Sequence, residues 1–260
     1  MLPARTGIWV FLVPAVLIAV VALFLPRMDL PPSYHNFADQ RGWLGIPNFG
    51  DVSSNLAFLV AGICGLAFLS KNSSSHQFVD PRERWPYAIL FLGLVLTAFG
   101  SAYYHWAPSD SRLVWDRVPM TIVFMPLVAA LIAERINLKL GLYLLPLLTA
   151  LGIASVIHWH ETVLRGAADL RFYGAVQLYA VLALLAAMLL PACYTRGSDL
   201  LMVAGFYVIA KICETADRQI FAAGHIVSGH TLKHLTAGLA GFWILRMLQK
   251  RQRAQTQVSL

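Results

Sequence analysis

Cysteine and charge are both scarce in this chain, and each scarcity excludes something. The three cysteines among 260 residues, Cys64, Cys193 and Cys213, are odd in number and lack CxxC spacing. A disulfide framework and a dithiol redox pair are thereby excluded, and lying in or beside apolar runs the three read as small buried residues. Charged residues are 13% of the chain against 58% hydrophobic, which excludes a soluble globular domain. No internal repeat, low-complexity tract or linker marks a second domain. Lys and Arg outnumber Asp and Glu by 20 to 13, but they are spread through the loops, with one cluster at Arg246, Lys250, Arg251 and Arg253. That scatter excludes a nucleic-acid surface and reads as a cytoplasmic anchor.

What the chain has in abundance is apolar length. Runs able to cross a hydrocarbon core of ~30 Å, about 20 residues each, occupy 7–25, 52–69, 86–105, 140–157 and 172–190. Weaker runs lie at 118–133, at 200–213 with Lys211, and at 231–248 with Lys233, His234 and Arg246. The expectation is an all-α integral membrane protein, one transmembrane domain over 1–260, with eight spans, or seven if 200–213 is re-entrant. The first run follows Arg5 as a signal peptide would, but it ends in LPRMD without a small-residue cleavage site and predicts a retained helix. Eleven basic residues fall on the side of the termini and nine on the other, which orients both termini to the cytoplasm.

Alternating the helices across the membrane gathers the polar residues at one end. His105 closes the third run, Asp116 opens the fourth, Glu214 and Asp217 follow the seventh, and His230 and His234 open the eighth. Asn48, Asp51 and Asn55 stand before the second run at that same end, whereas the opposite loops hold a single histidine, His76. Ionisable groups at membrane depth are costly and are mostly functional. Ser101 and His105 are four apart, as are His230 and His234, so each pair shares a helix face. Three imidazoles able to converge suit a zinc ion with an open fourth position, which acidifies water to a pKa of about 7.

Structural roles compete at several positions. Asp116, with Pro119 behind it, reads equally as the N-cap of its helix, and Ser101 as bonded back to a carbonyl of its own helix. Lys211, Glu214 and Asp217 suggest a neutralising ion pair. Trp43, Trp106, Trp115 and Trp159 suggest an interfacial belt, with His158 and His160 beside Trp159, and His35 and His225 read as loop residues.

The S-x-x-x-H of Ser101 and His105, the following Asp116, the H-x-x-x-H of His230 and His234, and SSNLAFLVAGI over 53–63 together resemble the alkaline ceramidase family. The likeness extends to the wider superfamily of seven-helix membrane hydrolases that includes the progestin and adiponectin receptors. Order and spacing agree over most of residues 39 to 245. The resemblance implies a seven-helix core over about 39–248, preceded by the helix at 7–25. It also implies zinc on His105, His230 and His234, with Ser101 and Asp116 beside the water at the metal. In eukaryotic ceramidases an acidic cluster ahead of the first core helix binds calcium; Asp39, Asn48 and Asp51 are the corresponding candidates, Asn48 standing where the family has glutamate. Short loops and the lack of a soluble domain favour a bacterial-type member, in an inner membrane with the site near the face opposite the termini.

The function these features predict is zinc-dependent hydrolysis of the amide of an N-acyl lipid such as ceramide, giving a fatty acid and an amine. Asp116 would carry the proton and Ser101 would donate a hydrogen bond. The alternative is a lipid-binding receptor or sensor with a structural zinc site, and a bis-histidine haem protein is a third reading.

Overall fold

The computed structural model describes residues 4–71 and 77–254, with the side chains of 4–6 outside that description. His76 and the side chain of Arg5 therefore lie outside the described residues. Regular structure is helical, and strand-like pairing is confined to isolated bridges at Trp43–Ile46 and Tyr194–Arg253. The helices are α1 (Ala4–Phe24), α2 (Phe49–Ser53), α3 (Leu56–Ser70), α4 (Arg84–Trp106), α5 (Asp110–Arg135), α6 (Leu138–Leu164), α7 (Arg171–Ala187), α8 (Asp199–Thr215), α9 (Asp217–Gly224) and α10 (Gly229–Lys250).

All eight apolar runs are helical. Among the described residues five segments are long and apolar enough to cross a membrane, 7–24, 49–70, 81–106, 110–135 and 138–164. The protein thus reads as a multi-pass membrane protein. Its outward side chains agree, for Phe24, Leu23, Tyr143, Leu189 and Trp9 are exposed apolar groups of the kind that hydrocarbon covers. The α7 helix is shorter, and α8 and α10 carry the ion-paired charges described below.

Two sequence expectations about boundaries change. The short run at 118–133 is the interior of a 26-residue helix, because Ser109, not Asp116, is the N-cap: its side chain accepts from Arg112 N at 3.4 Å. Asp116 sits almost two turns inside α5 and has no capping duty. The 200–213 run is one continuous helix, α8.

Neighbour contacts run from α3 to α4, α5, α6 and α7, on through α8 to α10 and back to α3, with α1 packed on α7. The closest approach is between α4 and α5, and proline explains it. Pro119 and Pro126 lie inside α5 and supply no N–H, so the carbonyls of Trp115 and Ile122, four residues earlier, lose their helical donors. Both face α4 at its glycines. A Cβ built on Gly100 would meet Trp115 O at 1.9 Å, and one on Gly93 would meet Ile122 O at 2.9 Å. Glycine lets the freed carbonyls settle against the α4 backbone where a side chain would collide with them. This contact brings Ser101 on α4 alongside Asp116 on α5.

Gly100→Ala is therefore expected to destabilise the bundle by at least the roughly 1–3 kcal/mol of core overpacking. Gly205→Ala on α8, with nothing within 4 Å of the added methyl, is expected to be neutral or to gain up to about 1 kcal/mol of helix propensity. Thermal unfolding in detergent checks both; equal midpoints would remove the close α4–α5 contact from the account.

Candidate metal centre

The centre is built where three helix ends meet. His105 lies in the last turn of α4, which stops before Pro108, and its otherwise orphaned carbonyl accepts from Asn48 Nδ2 at 2.8 Å. His230 and His234 lie in the first turns of α10, capped by Ser228, whose side chain accepts from Thr231 N at 2.9 Å. Asp217 at the start of α9 adds a second cap, accepting from His230 N at 2.8 Å, and its negative charge suits the α10 N-terminus.

The three imidazoles converge and are buried, at 0%, 6% and 2% exposure for His105, His230 and His234. One nitrogen from each lies within 4.8 Å of the others. The Nε2 atoms of His105 and His230 are 3.2 Å apart. Two nitrogens about 2.0–2.1 Å from a tetrahedral zinc are separated by about 3.3–3.4 Å, so this pair has the spacing of one tetrahedral edge. A direct imidazole–imidazole hydrogen bond would give a similar distance for two rings but leaves the third unexplained. His234 supplies a third nitrogen: its Nδ1 is 3.1 Å from the carbonyl of Asp51, which can only accept. Nδ1 therefore carries the proton, and Nε2 offers a lone pair. Ser54 Oγ, 2.8 Å from the same Nδ1 and donating to Asp51 O at 3.1 Å, completes the support. Fixing the tautomer through the remote nitrogen is how metal-binding histidines are oriented. These residues can hold a metal ion.

Around this triad the predicted residues divide. Ser101 is buried, and its hydroxyl makes no bond back to its own helix. It lies beside the Asp116 carboxylate without closing a hydrogen bond of standard geometry. Asp116 is buried and lines an apolar cavity of about 660 Å³ bounded by α1, α5, α7, α8 and α10. The histidines do not line it.

The calcium candidates have other partners. The Asp39 carboxylate is held by Arg41 through Nε and Nη2, both at 2.8 Å, and that guanidinium keeps the carboxyl below its ordinary pKa. Asp51 Oδ1 accepts from Ser228 at 3.0 Å and Thr231 at 2.8 Å, while its Oδ2 has no hydrogen-bond partner. Asn48 is turned to His105. Among the described residues His105, His230 and His234 are the one group with three ligand atoms gathered.

Several side chains read otherwise in the sequence. Glu214 does pair with Lys211, and it takes a second cation, Lys233, at 2.5 Å, while Asp217 joins no ion pair among the described residues. Asp217 instead ties the loop to α10, accepting from Ala38 N at 2.9 Å. Trp159 is fully buried, unlike the exposed Trp43, Trp106 and Trp115: it packs in a cluster with Leu113, Val156 and Tyr173, with the Arg117 guanidinium 4.4 Å from its ring. The cysteines are free, and Cys64 and Cys193 are exposed where burial is predicted. His35 bonds Tyr104 and Asp110 at 2.9 and 3.1 Å, away from the triad. Phe37, which no motif marks, covers the centre, its ring 4.7 Å from His105 and 4.4 Å from His230.

No protein-family model matches this chain, and no curated protein matches it.

The purified protein is expected to bind about one divalent ion per chain, and the His230→Ala, His234→Ala double variant none, by elemental analysis. Ser54→Ala, which frees the His234 ring while keeping all three ligands, is expected to weaken metal affinity about 10–100-fold with helix content unchanged. Chelator competition measures this; an unaltered affinity would make Ser54 a packing residue only.

Proposed function

We propose that the protein is a zinc-dependent membrane hydrolase that cleaves the amide of an N-acyl lipid, a bacterial-type relative of the alkaline ceramidases. The observation that carries this reading is the gathering of three buried imidazoles, with Ser101 one turn from His105 on α4 and Asp116 beside Ser101 on the wall of an apolar cavity. Its volume, about 660 Å³, falls within the ~300–1,000 Å³ of small-molecule sites. Neutral nitrogen ligands in a closed, dry site favour zinc over the harder cations, which prefer oxygen. Bound there, zinc supplies a Lewis acid that lowers the pKa of water to about 7.

The chain's own residues do the rest. The cavity takes the acyl chain and brings the amide carbon toward the Ser101–Asp116 pair. Asp116 takes a proton from the attacking water as its oxygen bonds to that carbon, and returns the proton to the nitrogen as the C–N bond breaks. Ser101, whose hydroxyl is free of its own helix, donates to the oxygen on which charge develops. Phe37 and the loop beneath it keep bulk water out. In this reading the domain has seven core spans with α1 as an eighth. It lies in a bacterial inner membrane with both termini cytoplasmic and the centre near the opposite face.

The test is incubation of the purified protein with N-acyl and O-acyl lipids and mass-spectrometric detection of released fatty acid. Steady release that stops on metal removal is expected; metal-dependent lipid binding with no release would make the protein a sensor. Asp116→Asn is expected to keep metal and thermal stability, since Asp116 caps no helix, and to lose about 10²–10⁴-fold in rate, the range for a general acid–base group. A rate within a few fold of the parent, at saturating lipid, would assign the proton transfers elsewhere.

A further inference from the structure

The cavity carries a positive charge that the fold leaves unbalanced. Arg117 on α5 lines it and is only 5% exposed. Its guanidinium is 4.4 Å from the Trp159 ring, 4.8 Å from Tyr173 and 5.5 Å from Tyr34. Nη2 donates to Tyr34 Oη at 3.3 Å, and the buried Nη1 has no hydrogen-bond partner. Among the described residues Arg117 makes no ion pair. The other buried arginine, Arg251, has Glu134 at 2.5 Å.

Of the remaining lining charges the neighbouring Asp116 attracts Arg117 through space, but among the described residues no hydrogen bond or ion pair joins them. Arg171 is matched by Asp169 at 2.7 Å. Lys211 and Lys233 share the single carboxylate of Glu214. Asp116 is the one other acid on the wall, so positive charge is in excess even before a metal ion is counted. Aromatic faces steady a guanidinium, but they do not saturate its N–H groups. Desolvated and without an ion pair, it keeps an unbonded buried donor beside the cavity.

We propose that Arg117 receives the carboxylate of an acidic head group, so that the lipid this cavity takes is an N-acyl amino acid rather than a neutral N-acyl lipid. The assignment rests on the N-acyl hydrolase reading for its amide and on Arg117 for its anion. The two parts are tested separately by measuring binding as well as turnover.

Isothermal titration of the full-length, metal-loaded protein in detergent would compare N-lauroylglycine with N-lauroylethanolamine. These share acyl chain and amide and differ in a carboxylate against a hydroxymethyl group. The wild-type protein is expected to bind the glycine conjugate at least about tenfold more tightly. Arg117→Met is expected to abolish that preference while leaving the neutral lipid within about twofold, and Arg117→Lys to retain part of it. Equal affinities in the wild-type protein, or a preference that survives Arg117→Met, would overturn the proposal; the wild-type comparison stands even if the variants fail to fold. Laurate, a carboxylate without an amide, is the third arm. If it bound as tightly as the glycine conjugate with the same dependence on Arg117, the anion would be that of a free acid and the head-group assignment would fall. Preferential binding without hydrolysis of either amide would sink the hydrolase reading and leave the anion site standing. Equal binding with equal hydrolysis would do the reverse.

Discussion

Asp51 is the residue on which the arrangement of the centre depends. It is fully buried among helices, where a carboxylate without partners costs several kcal/mol. Ser228 and Thr231 donate to its Oδ1, and Ser54, Asn55 and His234 all engage its backbone carbonyl. Hydrogen bonds to a charged group return about 1.5–3 kcal/mol each, so α10 cannot slide along α2 without stranding the charge. Ser228 is also the α10 cap, and the cap fixes where the first turn begins. The register of His230 and His234 against His105 therefore follows from one carboxylate in α2, a residue that is not itself part of the triad.

The other wall of the centre is set by backbone chemistry. Pro119 frees the Trp115 carbonyl, Gly100 receives it, and the resulting approach of α4 to α5 presses Ser101 against Asp116. Side-chain pairing in one half and carbonyl packing in the other converge on the same small volume. The centre is thus held from two sides by interactions that fail in different ways. Removing a donor strands the Asp51 charge; adding a methyl at Gly100 produces a collision.

The features legible in the sequence are those with a local period. Apolar length marks the eight longer of the ten helices described, and the i, i+4 spacing of Ser101/His105 and His230/His234 gives the shared faces that the fold brings together. The start of α5 was hidden because Ser109 and Asp110 sit in a polar stretch that reads as a loop, which made Asp116 look like the first helical residue. Partners that meet only when separate helices pack leave no local trace. Nothing near Ser54 announces His234, nothing near Lys233 sets it on Glu214 rather than in solvent, and Trp159 beside two histidines looks interfacial until Arg117 is seen on its ring. The cavity is a tertiary product in the same sense, since α1, which reads as an addition to the core, supplies one of its walls through Leu17, Ile18, Val21 and Ala22.

That wall and the loop over the histidines are held by different kinds of contact. On the polar side Phe37 lies over two of the imidazoles, and its loop is moored by Asp217 to the first turn of α10 and by Arg41 to the carbonyls of His225 and Ile226. Lifting it would break several hydrogen bonds to charged groups at once. On the hydrocarbon side α1 meets the cavity through aliphatic side chains, whose contacts are non-directional and reform equally well against an acyl chain. The Phe37 loop is therefore held by directed bonds and the α1 wall of the cavity by aliphatic contact alone, so of the two it is the α1 wall that can part at the smaller cost.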